Sequence, residues 1–167
     1  MSLFETERLF GRRLTIDDVD AMFAVYGDPE TVRFVGDSEP LTREGCLQWI
    51  EITDKNFQNR GYGMIAFCDG ATGDIVGCGG IVHPNQQEQP EVKYAFRRNH
   101  WGKGYATEAV GGLVRFARKS LGIRTIMATV APGNQPSQHV LSKLGFIHVR
   151  DHINEDASIT QIWIAEA

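Results

Sequence analysis

Between Glu91 and Leu121 a short run of strand character breaks into glycines and reopens as a long amphipathic helix, and no other stretch restricts the fold so strongly. Val92, Tyr94 and Phe96 alternate as in a strand, and the turn Arg97 to Thr107, RRNHWGKGYAT, follows. From Gly104 onward Ala106, Ala109, Val110, Leu113, Val114, Ala117 and Leu121 recur at helical spacing. The first N–H groups of such a helix have no partner within it, and its dipole adds positive potential at the same end. Gly102 and Gly104 lack a Cβ, so the backbone there is free to approach an anion and to adopt φ > 0. A strand that ends this way reads as a cradle for pyrophosphate.

Glycine spacing alone fits an ordinary strand-to-helix turn equally well. Charge favours the cradle. From Lys93 to Arg124 the chain carries eight Lys/Arg against the single acid Glu108, a local net of +7 in a protein of net −4. Arg97, Arg98 and Lys103 flank the turn itself. A basic island in an acidic protein suits one multiply charged anion, whereas a pI near 5.7 does not suit a nucleic-acid partner.

The 167 residues suffice for one domain, 1–167, with a core of its own. The start MSLFETERLFG has neither a basic nor an apolar leader segment, and no apolar run approaches the ~20 residues of a membrane span, so a cytoplasmic protein without a membrane partner is expected. Cys46, Cys68 and Cys78 show no metal-ligand spacing and read as buried, reduced thiols. The five histidines are equally scattered, and no metal is expected.

In chain order, Arg8–Leu14 reads as a strand, and Thr15 with Asp18 as a capping pair for a helix whose apolar stripe is Ile16, Val19, Met22, Phe23 and Tyr26. Thr42 caps a second helix, with Cys46, Trp49, Ile50, Thr53 and Phe57 on one side and a stop at Gly61. Strands 63–68 and 75–82 follow, then a polar, exposed loop 83–90 and the strand 91–96. After the cradle helix, whose Gly111-Gly112 suggests close packing on a sheet, come strand 123–130, a short helix capped by Asn134 and ended by Gly145, and strands 146–149 and 159–165. One α/β domain fits all of these segments.

With these segments in view, the chain resembles the GNAT superfamily of acyl-CoA-dependent N-acetyltransferases, and within it the ribosomal-protein (RimJ/RimL-like) branch. The likeness rests on TERLFGRRLTIDD with GDPETVRFV near the start, on WGKGYATEA at Trp101 to Ala109, and on NQPSQHVLSKLGF at Asn134 to Phe146. The resemblance implies an α/β fold with a mixed, mostly antiparallel sheet of six to seven strands flanked by about four helices. It also implies acetyl-CoA as cosubstrate and direct transfer of its acetyl group to a primary amine of a protein N-terminus or small molecule, by a monomer or homodimer. It implies that backbone groups of Ala95, Phe96 and Arg97 line the pantetheine, with an N–H there polarising the thioester carbonyl. It places the pyrophosphate on Gly102, Lys103, Gly104, Tyr105, Ala106 and Thr107, with Arg98 and Trp101 beside it. Asn134 would touch pantetheine, and Ser137 would donate to the departing thiolate or simply cap its helix. Glu91 is the candidate base, its alternative being an exposed strand-edge carboxylate. Many relatives carry a tyrosine acid where this chain has Leu141.

Trp49 and the stretch 30–41 are expected at the acceptor pocket by resemblance, although Trp49 at that spacing also reads as core. Residues 1–74 hold 14 acids and 7 bases, which favours a cationic acceptor. A dinucleotide-binding reading fails, because Thr107 stands where the third glycine belongs and no acid follows about 20 residues later. An acyl-CoA-binding sensor without turnover is the remaining alternative.

Overall fold

The computed structural model describes all residues, Met1–Ala167, and is organised on one eight-stranded sheet. In chain order the strands are β1 (Phe4–Glu5), β2 (Leu9–Arg13), β3 (Met64–Asp69), β4 (Ile75–Val82), β5 (Glu91–Phe96), β6 (Thr125–Val130), β7 (Ile147–Ile153) and β8 (Ile159–Glu166). The helices are α1 (Val19–Tyr26), α2 (Arg43–Arg60), α3 (Tyr105–Ser120) and α4 (Gln135–Lys143). The sheet order is β1-β2-β3-β4-β5-β6-β8-β7, antiparallel throughout except between β5 and β6.

The mixed sheet and four helices match the sequence expectation. The eighth strand is the two-residue β1, too short to leave a periodic signal. Its Phe4 packs on α3: a Cβ on Gly112 would meet Phe4 Cε2 at 2.6 Å and Thr6 Cγ2 at 2.7 Å, which explains the glycine inside that helix. The final hairpin runs further than its apolar residues indicate, because β7 carries exposed residues along its whole length.

Each face of the sheet has its own core. On one, α3 and α4 cover Phe67, Val92, Phe96, Ile126, Ala128 and Trp163. On the other, α1 and α2 cover Met64, Ala66, Cys68, Cys78 and Ala95. Strand alternation therefore sends Val92, Tyr94 and Phe96 toward α3 and α4, and Glu91, Lys93 and Ala95 toward α1 and α2.

The caps form as the residues dictate. Thr42 Oγ1 accepts from Gly45 N (3.0 Å), and Gly61 ends α2 at φ +82°. Asp18 accepts from Thr15 N (2.8 Å), but Ile16–Asp18 is a 3-10 turn and α1 starts only at Val19. Ile16 and Phe23, read as part of the apolar stripe, are exposed. The three cysteines are free and buried. Cys68 pairs with Ile75 and Cys78 with Ala66, so the two thiols do not face one another across the hairpin. No helix is long and apolar enough to cross a membrane.

Candidate active site

The single parallel pairing in the sheet opens almost as soon as it forms. Glu91 lies opposite Met127, Met127 N donates to Pro90 O (2.9 Å), and no further backbone pair joins β5 to β6. Beyond that point the strands part. On its other side β5 stays fully paired with β4, from Glu91–Val82 to Phe96–Gly77.

That pairing decides which amides face the opening. Arg97 N donates to Val76 O (2.9 Å), and alternation along an antiparallel ladder sends the Ala95 N–H to β4 as well. Of the Ala95, Phe96 and Arg97 amides, only the Phe96 N–H points into the gap, together with that of Tyr94. Trp101 serves the end of this strand. Its indole Nε1 donates to Phe96 O (2.9 Å) and holds the end of the strand.

At the mouth of the gap the chain turns through Gly102 (φ +75°) and Gly104 (φ +77°) into α3. Glu108 N supplies the first helical bond, to Gly104 O (3.2 Å), and no N–H from Gly102 to Thr107 donates to a backbone carbonyl. Six successive donors at a helix N-terminus, with Lys103 exposed beside them, make a fitting seat for a diphosphate. Arg8 reinforces it, and nothing in the sequence pointed there. Its guanidinium donates to Lys103 O (2.9 Å) and Glu108 Oε1 (3.1 Å) and lies 4.5 Å from the Tyr105 ring centroid. Arg98, expected beside the pyrophosphate, instead pairs its guanidinium with Asp28 of the loop after α1. His100 lies tilted against the Tyr105 ring (centroids 5.6 Å apart), and burial, then Lys103 and Arg97, hold its pKa below the ordinary histidine value.

Two polar clusters flank the parting, one on each face. On the α1/α2 face Glu91, only 2% exposed, meets Lys93 Nζ (2.5 Å) and accepts from Thr129 Oγ1 (3.1 Å) and Gln87 Nε2 (3.4 Å). Lys93 Nζ also donates to Thr129 Oγ1 (3.2 Å). Glu91 is therefore a buried, ion-paired carboxylate, which corrects the alternative of an exposed edge residue. The loop expected to be merely exposed contributes here too, since His83 is anchored by Tyr62 OH (2.8 Å) and by Gln87 O (2.9 Å).

On the α3/α4 face Tyr94 OH and Ser137 Oγ lie 2.5 Å apart, joining β5 to the first turn of α4. Burial pushes the Tyr94 phenol up to about 12, with the Ser137 hydrogen bond pulling the other way. Asn134 Oδ1 caps the helix through Ser137 N (3.3 Å), so the Ser137 hydroxyl is not needed for capping. Leu141 is 1% exposed and belongs to the core.

The sequence matches the Acetyltransferase (GNAT) domain over residues 8–147. The chain belongs to the GNAT acetyltransferases. An uncharacterized N-acetyltransferase, p20 of Bacillus licheniformis, is 31% identical over 151 residues, covering 87% of this chain and 83% of p20. A GNAT-family acetyltransferase structure from Bacillus anthracis superposes with a TM-score of 0.83 at 19% identity, covering 98% of this chain and 97% of that one. RimL, a ribosomal L7/L12 α-N-protein acetyltransferase solved with coenzyme A, gives 0.81 at 15% identity over 96% and 95% of the two chains. At such identities the structural likenesses speak for the fold.

The segments expected at the acceptor pocket are less tightly built. Trp49 is 40% exposed and stacks on Tyr26 (centroids 6.2 Å), so it is not the core residue its spacing also allowed. Phe34 lies against Gly133, which brings the loop after α1 over the turn between β6 and α4. A polar cleft of about 510 Å³ separates Gly36 from the β7–β8 turn, where Glu155 and Asp156 stand.

Proposed function

We propose that this GNAT protein transfers the acetyl group of acetyl-CoA directly to a primary amine, as a one-domain cytoplasmic enzyme akin to the RimJ/RimL-like branch. One observation carries the reading: six unused amides, Gly102 to Thr107, sit at the end of a strand that parts from its parallel neighbour. Acetyl-CoA is carried by relatives of this fold, as in the microcin self-immunity acetyltransferase MccE solved with acetyl-CoA and AMP.

In this reading the diphosphate binds the Gly102–Thr107 amides and Lys103, while pantetheine lies between β5 and β6 near Asn134. The Phe96 N–H donates to the thioester carbonyl and stabilises the oxyanion as it forms. The acceptor arrives as an ammonium, with a pKa near ~10.4 for an alkylamine, and must lose a proton before attack. Glu91 takes that proton. Because it is buried, the proton reaches it through a water or the half-exposed Thr129 hydroxyl, which already donates to Glu91. The thiolate leaves on the opposite face, toward Ser137. The acidic residues of the cleft beside Gly36 favour a cationic acceptor.

The test is a panel of amines, including peptide N-termini and polyamines, assayed with acetyl-CoA for free thiol release. Turnover is expected with at least one amine, and E91Q lowers its rate at neutral pH while leaving CoA affinity intact. An unaltered pH–rate profile in E91Q removes Glu91 as the base. The Glu91–Lys93 ion pair and the apolar Leu141 favour a second reading, a CoA-binding module without turnover. Tight CoA binding with no thiol release on any amine would select it.

A further inference from the structure

On the reading above, the thiolate needs a donor that α4 does not supply in its second turn, since Leu141 is sealed in the core. The first turn offers Ser137, and the fold brings that hydroxyl a partner from elsewhere. Tyr94, 43 residues away on β5, directs its hydroxyl to Ser137 Oγ at 2.5 Å. This contact spans the side of the gap on which the sulfur departs, and it links the strand lining the gap to the helix that follows β6.

We propose that Tyr94 is a positioning residue for the transfer: it donates its phenolic proton to Ser137 Oγ, so that the serine hydroxyl is turned outward as the donor to the leaving sulfur. A phenol is the stronger donor of the two hydroxyls, and each oxygen has one proton to give. Once Tyr94 donates, the Ser137 proton has a single productive direction. Asn134 holds the Ser137 amide, fixing the residue from its backbone side. Burial keeps the phenol neutral, hence a donor, across the neutral range.

The step balances without a further reactant. Before attack the ammonium gives one proton to Glu91, which returns it to solvent. The amine nitrogen then forms the C–N bond, the C–S bond breaks with its electron pair on sulfur, and the second nitrogen proton goes to Glu91. The thiolate is held by the Ser137 hydroxyl until solvent protonates it, and Tyr94 keeps its own proton throughout.

Tyr94→Phe removes one oxygen and leaves the ring in place. Ser137→Ala leaves the capped amide intact, so both variants are expected to fold. Y94F is expected to lower kcat about five- to tenfold, the scale of one lost hydrogen bond, with KM for acetyl-CoA unchanged within about twofold. In the S137A background, Y94F is expected to change nothing further. With the selenoester analogue of acetyl-CoA, whose selenolate leaves more readily, the Y94F loss shrinks. An unchanged kcat in Y94F, the same loss in both backgrounds, an effect confined to KM, or an equal loss with the selenoester would each overturn the role of Tyr94. Absence of turnover in the unaltered protein would overturn the transferase reading and this role with it. Turnover indifferent to Y94F would overturn this role alone.

Discussion

At the scale of single residues, the proposed site divides between groups assigned to hold an anion and groups assigned to manage protons. Lys103 is the exposed cation nearest the unused amides, and Lys103→Glu is expected to weaken acetyl-CoA binding about tenfold or more at low salt, the loss shrinking as ionic strength rises. Calorimetric titration at two salt concentrations checks this, and unchanged affinity would count against the cradle. Asp18 serves stability instead. Burial raises its pKa, but the Arg12 hydrogen bonds (2.8 and 2.9 Å) and the Thr15 amide outweigh it, leaving the carboxyl below its usual value. A depressed folded pKa means that the contribution is complete at neutral pH and is lost as pH falls below about 4 and on through the folded value. Asp18→Asn is expected to cost ~2 kcal/mol at pH 7 and to flatten acid destabilisation below that range. Urea melts at several pH values would show it, and parallel curves for the two proteins would refute it.

At the scale of elements, local signals carried well and distant partnerships did not. Thr42, Gly61, Asn134 and Gly145 announce helix ends because a cap is a relation between residues a few positions apart. The glycine turn into α3 was legible for the same reason. Arg8 with Glu108, Thr129 with Glu91 and Tyr94 with Ser137 were not, since each joins elements that meet only when the sheet is assembled. Arg98 shows the converse: a cation in the right stretch is drawn to Asp28, 70 residues upstream. Ile16 and Trp49 fit helical stripes, but the edge of each stripe lies outside the packed face. Gly112 belongs to this scale as well, because α3 rests on β1 only where no side chain intervenes. Gly112→Val is expected to destabilise the fold by ~2 kcal/mol through overpacking against Phe4 and Thr6. An unchanged urea midpoint would mean that β1 yields freely.

At the scale of the whole molecule, one parallel pairing in an otherwise antiparallel sheet creates the site. Full pairing of β5 with β4 fixes one wall, and the early parting from β6 leaves amides of β5 facing the gap. Helices on both faces place Glu91, Lys93 and Thr129 on one side of the parting and Tyr94 and Ser137 on the other. In the proposed transfer, this separation gives the amine and the thiolate different approaches to one carbonyl. The direct measurement is an amide NMR titration of the isotopically labelled protein with acetyl-CoA. The largest shifts are expected at the N–H groups of Gly102 to Thr107 and of Phe96, saturating together. Silent amides at those seven positions, with binding registered elsewhere, would contradict the account.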